Sequence, residues 1–148
     1  MNAEKLARIY FDSAAVEPAT AEYDSFHAWI NDQWEQIRDM VRFTFQEVEP
    51  ERMMAHYDAT GELLISAAHN EPLPWLGKSQ NVKFRAIHDW HHLQAVAGFD
   101  LNGEYAAFEY AKSTAPQCIH WMLYSEIVLQ AAATIHTGSF QEQKLVRS

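Results

Sequence analysis

Cysteine is nearly absent from this chain of 148 residues, which contains only Cys118. A single thiol cannot form an internal disulfide, so the fold does not depend on oxidation, as is typical of a cytosolic protein. The amino terminus lacks the apolar core of a secretory signal. No stretch approaches the roughly 20 apolar residues that span a bilayer. We therefore expect a cytoplasmic protein without a membrane-embedded part.

Basic residues are also scarce, because eleven Lys and Arg stand against twenty Asp and Glu, for a formal charge of −9. Contacts with phosphate groups need Lys and Arg, so we expect no nucleic-acid partner. An acidic surface favours cation capture or a basic partner, and it also keeps a protein soluble. Hydrophobic residues make up 48% of the chain, as in globular proteins. The length predicts one domain over residues 1–148.

Apolar periodicity predicts a mainly helical α+β protein, with a helical core and a small two-stranded sheet. A helical N-terminal part (1–40) precedes a strand–helix–strand–loop segment (41–80) and a three-helix region (82–137). The predicted elements are helices over 3–11 and 20–39, a half-buried strand over 41–48, a helix over 50–60, a strand over 62–68, and helices over 82–97, 103–113 and 116–136. We expect the two strands to pair. Thr20 is the predicted cap of the second helix, and Gly98 ends the helix over 82–97.

The last predicted helix contains a carboxylate among apolar residues. Glu126 shares a helical stripe with Ile119 and Leu129, on a helix that is apolar nearly all the way round. An unpaired buried charge is too costly, so Glu126 must be neutral, paired or bound to a cation. Three interpretations remain open, namely a buried ion pair with Arg85 or His120, a helix face with more access to water than its composition indicates, and a metal ligand.

Histidine is concentrated in the stretch FRAIHDWHHLQA, residues 84–95. His88 and His92 are four residues apart and share one helical face, the spacing at which two imidazoles chelate one ion. Such pairs also arise by chance on solvated helices. Glu104 begins the next helix, where it can interact with the helix dipole or bind a metal. His88, His92, Glu104 and Glu126 form the predicted ligand set, and their donor types suit Zn, Fe, Mn or Ni.

The chain also contains a pattern of short motifs: FRA with His88-Asp89 and His92, then Gly103-Glu104, then Ser125-Glu126 with Gln130. This pattern resembles a group of uncharacterised proteins encoded mainly by bacteriophages. The resemblance covers roughly residues 40–130. It implies a metal-binding pattern and a phage-like origin, and hence the host cytoplasm, but it supplies no reaction because the group has no agreed activity.

Three functions are compatible with these residues. In a metal-dependent hydrolase of a small-molecule substrate, the ion activates water, Asp89 or His91 is the general base, and Arg85 or Gln130 steadies an anionic substrate. A carboxylate-bridged di-iron or di-manganese protein ranks lower, because no Glu-x-x-His motif occurs. In a non-enzymatic phage protein that binds a host protein, a metal or a His–Glu network serves stability alone. An enzyme leaves a coordination position open toward a pocket, whereas a structural site is closed. We prefer the hydrolase.

Overall fold

Six helices and two short strands make up the regular structure of the computed structural model, which describes residues 1–148 and is 64% helical. The elements are α1 (Ala3–Asp12), α2 (Thr20–Ile37), β1 (Val41–Thr44), α3 (Pro50–Thr60), β2 (Leu63–Ser66), α4 (Lys78–Ala95), α5 (Leu101–Thr114) and α6, which runs through His120–Leu123, Tyr124–Leu129 and Gln130–Thr137. The predicted class, mainly helical with a two-stranded sheet, is confirmed. None of these helices is long and apolar enough to cross a membrane.

The two strands pair in parallel, with Val41 opposite Leu63 and Thr44 opposite Ser66, and α3 connects them. The pairing agrees with the prediction, and the segment 41–48 is half-buried as expected at Val41 and Val48 but not at Phe43 and Phe45. Strand β2 is buried in the core, whereas of residues 41–48 only Val41 and Val48 among the apolar ones pack partly against it. Phe43 is 41% exposed and Phe45 is 87% exposed.

Several helix ends differ from the predicted ones. The cap residue of α2 is Ala19 rather than Thr20, and the Glu22 carboxylate accepts a hydrogen bond from the Ala19 N–H at 2.9 Å. Helix α4 begins at Lys78 rather than at residue 82, because no proline or glycine opposes a helix after Gly77. It ends at Ala95, and its C-cap residue is Val96, in the left-handed conformation with φ of 50°, rather than Gly98.

Glycine is required at the start of α5, where the turn after α4 folds back over this helix. A Cβ atom on Gly103 would lie 1.8 Å from the carbonyl oxygen of Gly98. The Gly103 N–H donates to the Asp100 carboxylate at 2.8 Å, which caps the helix. This close approach brings the first turn of α5 against the last turns of α4.

The central part of α6 lies in the main hydrophobic core. Its buried side chains pack with apolar residues of α2, α4, α5 and β2, as the sequence predicts for a helix that is apolar nearly all the way round; the α6 residues include Met122, Leu123, Ile127 and Val128. The C-terminal segment after α6 also packs inward, through Leu145 and Val146. Helix α5 packs against both α4 and α6, and side chains of all three helices meet in the core.

Candidate metal centre

Three ligand atoms from α4 and α5 converge at the junction of these helices. His88 Nε2 lies 2.9 Å from Glu104 Oε2, and His92 Nε2 lies 3.1 Å from the same oxygen. The two Nε2 atoms are 3.2 Å apart. The i,i+4 spacing places both imidazoles on one face of α4, and the Gly98–Gly103 contact brings Glu104 to them. The three donors thus form a nearly equilateral triangle.

The size of this triangle suits one metal ion. Ligands about 2.1 Å from an ion and at right angles to one another lie roughly 3.0 Å apart. His88, His92 and Glu104 therefore form a buried group that could hold a metal. Among residues 1–148, no other group of three His, Cys, Asp or Glu residues places its ligand atoms within 4.8 Å of one another.

A backbone carbonyl and an aromatic ring hold the imidazole of His92 in position. The His92 side chain is 1% exposed, and its Nδ1 lies 3.4 Å from the carbonyl oxygen of Ala97. When Nδ1–H donates to this carbonyl, Nε2 presents its lone pair to the triangle, as in metal-bound histidines. The ring of Phe99 stacks on His92 at 4.0 Å. By contrast, Nδ1 of His88 is buried without a hydrogen-bond partner.

Glu104 and His88 shift each other's pKa in opposite directions. Burial on its own would raise the pKa of Glu104, but hydrogen bonds from His88 and His92 outweigh it and lower the pKa to about 2. Burial likewise opposes the charged form of His88, yet the hydrogen bond and charge of Glu104 raise its pKa overall. A metal ion binding here displaces protons from the imidazoles, so its affinity falls as the pH falls.

The group of His88, His92 and Glu104 adjoins a cavity of about 290 Å³. His88 and Glu104 contribute to its wall, and the apolar rim includes Phe99 and Phe140. If these three donors held an ion, the cavity would give water or another small ligand access to its remaining coordination positions.

Glu126 lines the same cavity but lies outside the three-residue group. Its Oε1 accepts a hydrogen bond from Trp75 Nε1 at 3.0 Å, and its Oε2 accepts one from Gln143 Nε2 at 3.4 Å. Burial raises the pKa of Glu126 to about 7. Neither Arg85 nor His120 pairs with it, because both contact backbone carbonyls instead, so the ion-pair interpretation is wrong. A role for Glu126 as fourth ligand stays a prediction.

The structure separates the two residues predicted as general bases. Asp89 is partly buried and interacts electrostatically with His88, His92 and Glu104, although ideal helical geometry points it away from them. Burial raises the pKa of Asp89 to about 6. His91 lies in the core with its Nε2 2.9 Å from Gln33, and burial lowers its pKa to about 3. His91 therefore does not join the group.

The two residues predicted to steady a substrate are engaged in structural contacts. Arg85 Nη1 donates to the carbonyl oxygens of Ser66 and Ala68, at 2.6 and 2.9 Å, and so fastens the end of β2 to α4. Gln130 is 7% exposed, and its Oε1 accepts a hydrogen bond from the hydroxyl of Tyr10 at 2.6 Å. Gln130 reaches the cavity wall, whereas Arg85 lines a separate cavity.

Two features around Glu126 were not predicted. Residues Tyr124–Leu129 form a π-helical turn, a widened turn that is often found at functional sites. The donors Trp75 and Gln143 come from the proline-containing loop and from the C-terminal segment, far from Glu126 in sequence. The indole of Trp75, in the loop between β2 and α4, was the one available signal, because a buried indole N–H needs an acceptor.

Comparisons with family models, curated proteins and solved structures found no match to this chain. The resemblance to phage-encoded proteins therefore rests on the short motifs alone and stays a prediction. The site geometry carries the functional argument.

Proposed function

We propose that the protein is a mononuclear metal-dependent hydrolase, in which His88, His92 and Glu104 hold Zn, Fe, Mn or Ni. The observation that carries this proposal is the triangle of donors, with edges of 2.9 to 3.2 Å, beside a cavity of about 290 Å³. Two imidazoles and one carboxylate are the protein ligands of several catalytic zinc sites and of non-haem iron sites. A purely structural site in a phage protein that binds a host protein needs no adjoining cavity, so the cavity favours the hydrolase.

The chemistry follows from charge and access. A divalent ion at this position lowers the pKa of a bound water toward neutrality and polarises a carbonyl or phosphoryl oxygen. Two neutral imidazoles and the Glu104 carboxylate leave the centre with a net positive charge, which favours a substrate oxygen. The volume of about 290 Å³ corresponds to a small molecule or to one end of a larger one.

Metal analysis of variants tests the metal centre. Untagged protein purified without chelator is loaded with Zn, Fe, Mn or Ni and analysed by plasma mass spectrometry, beside His88→Ala and Glu104→Ala. We expect one equivalent in the wild type and a loss of affinity on the order of 100-fold in each variant, because each removes one of three ligands. A screen of ester, phosphoester and amide substrates with the loaded protein then tests the reaction.

His56→Ala is the matched control for these variants. The Nε2 atom of His56 lies 3.0 Å from Glu62 Oε1, so this residue also forms a His–Glu pair, but without a third donor. We expect His56→Ala to bind as much metal as the wild type does. Equal metal content in His88→Ala and the wild type contradicts the proposed centre, and a metal-loaded protein that cleaves nothing in the screen leaves only a structural role for the ion.

A further inference from the structure

Glu126 is held at the cavity wall by donors from two different parts of the chain. The Trp75 indole occupies one carboxylate oxygen and the Gln143 amide occupies the other. Trp75 belongs to the loop between β2 and α4, and it is 8% exposed. Gln143 belongs to the C-terminal segment that follows α6. A carboxylate with both oxygens held in this way has a defined orientation relative to the cavity that it shares with His88 and Glu104.

The backbone that carries Glu126 is fastened as well. Its π-helical turn is joined to the C-terminal segment by Ser125 Oγ, which accepts the Val146 N–H at 2.9 Å. One turn further, the Gln130 amide donates to the carbonyl oxygen of Gln141 at 2.8 Å. The C-terminal segment therefore supplies Gln143 and also contacts α6 on both sides of Glu126, at Ser125 and at Gln130.

Glu126 also differs from the three metal-binding residues in what surrounds it. Its hydrogen-bond donors are neutral, whereas the donors to Glu104 are imidazoles. The titratable groups that act on Glu126 electrostatically are His88 of α4 and Tyr10 of α1. Burial raises the pKa of Glu126 to about 7, and a carboxyl group of this kind exchanges its proton near neutrality.

We infer that Glu126 is the acid–base group of the metal centre rather than its fourth ligand, with Trp75 and Gln143 as positioning residues. This inference rests on the proposed function. The Glu126 carboxylate accepts a proton from the attacking water while the water oxygen bonds to the carbonyl carbon or phosphorus of the substrate. The same proton then passes to the leaving nitrogen or oxygen as its bond to that centre breaks, so Glu126 returns to the carboxylate form.

Cobalt substitution separates a ligand from an acid–base group. The wild type, Glu126→Gln and Glu104→Gln are loaded with Co²⁺, and the cobalt content, the affinity and the visible spectrum are measured between pH 5 and 9. We expect Glu126→Gln to retain one equivalent with an affinity within about tenfold of the wild type, whereas Glu104→Gln loses on the order of 100-fold. We expect the pH midpoint of the spectral change to move by about one unit in Glu126→Gln, because the ionisable neighbour of the coordinated water is gone.

The outcomes distinguish the two proposals. A wild type that takes up no cobalt overturns the metal centre itself, and the inference with it. If the wild type binds cobalt and Glu126→Gln loses it as completely as Glu104→Gln does, Glu126 is a ligand and the inference alone is overturned. An unchanged spectral titration in Glu126→Gln also overturns it, because an acid–base group must be coupled to the water that it deprotonates.

The positioning role has its own matched pair of variants. Trp75→Phe removes the indole donor from Glu126 while keeping an aromatic ring. Trp121→Phe removes an equivalent donor from Glu22, with Nε1 and Oε2 2.9 Å apart, at a site that does not contact the metal-binding group. We expect Trp75→Phe to keep its cobalt and to shift the spectral midpoint upward, because a hydrogen bond to the charged carboxylate is lost. An identical titration in both variants rules out Trp75 as a positioning residue.

Discussion

Gly103 marks the contact on which the geometry of the candidate metal centre depends, and replacing it with alanine tests that dependence. The new Cβ would lie 1.8 Å from the Gly98 carbonyl oxygen and 2.5 Å from the Gly98 carbonyl carbon. Both are backbone atoms, so no side-chain rotation can relieve the overlap. Either the turn from Val96 to Asp100 or the first turn of α5 must move.

Two opposing contributions determine how much Gly103→Ala changes the stability. Overpacking in a rigid environment costs about 1–3 kcal/mol, and a clash with backbone belongs at the upper end of this range. Alanine recovers up to about 1 kcal/mol of helix propensity. We therefore expect Gly103→Ala to lower the free energy of unfolding by about 2 kcal/mol. For a protein of this size, that corresponds to a fall in Tm of roughly 4–8 °C.

Metal binding should fall together with stability. The displaced turn carries Ala97, whose carbonyl contacts His92, and the displaced helix carries Glu104. Loss of such orienting contacts typically lowers metal affinity 10- to 100-fold. Urea denaturation in the presence of a chelator measures the stability, and cobalt titration at a temperature well below the Tm measures the affinity of the folded protein.

Gly98→Ala is the control on the other side of the same contact. A Cβ on Gly98 meets no atom within 4 Å, and its backbone is not left-handed. We expect this variant to stay within about 1 kcal/mol of the wild type, with unchanged cobalt affinity. Equal stability of Gly103→Ala and Gly98→Ala would refute the reasoning, and so would a destabilised Gly103→Ala that binds cobalt like the wild type.

Two further predictions concern residues next to the site. Val96→Gly should raise the free energy of unfolding by about 1 kcal/mol in urea denaturation, because valine is strained at a φ of 50° and glycine is not. Little packing is lost, since the Val96 side chain is 93% exposed. An unchanged or lower stability contradicts this prediction. Burial raises the pKa of Glu126 from 4.5 to about 7, so in metal-free protein the ionised group costs the folded state roughly 3 kcal/mol above pH 7 and nothing below pH 4.5. Glu126→Gln should therefore gain stability relative to the wild type as the pH rises from 5 to 8, and parallel stability–pH curves would contradict that expectation.

The parts of the fold and site that are local in sequence are predictable from it. Helical periodicity predicts all six helices, and the spacing of His88 and His92 alone places both on one face of α4. Glu104 joins them because a short turn connects α4 to α5, which keeps the three residues within one local unit. The pairing of the two strands is also predictable, since α3 is a short connection between two apolar segments.

Two predictions failed at least in part, namely the burial of residues 41–48 and the regular helical stripe through Glu126, and both depend on the structure around these segments. Residues 41–48 alternate in polarity, but the sheet has only two strands, and its burial depends on which strand faces the helices. The helix stripe drawn through Glu126 assumes 3.6 residues per turn, whereas the π-helical turn contains more. Neither the exposure of Phe43 and Phe45 nor the widened turn can be recognised from the periodicity of the chain.

The two carboxylates illustrate why residue type does not determine a role. The sequence predicts both Glu104 and Glu126 as ligands, since each suits a divalent ion equally well. Their surroundings differ, because Glu104 receives two imidazole donors from α4 while Glu126 receives an indole and an amide. An imidazole pair stabilises a permanent negative charge, whereas burial among neutral donors favours a group that gains and loses a proton. The proposed assignment of ligand and acid–base group therefore rests on side chains from segments outside the local pattern around each glutamate.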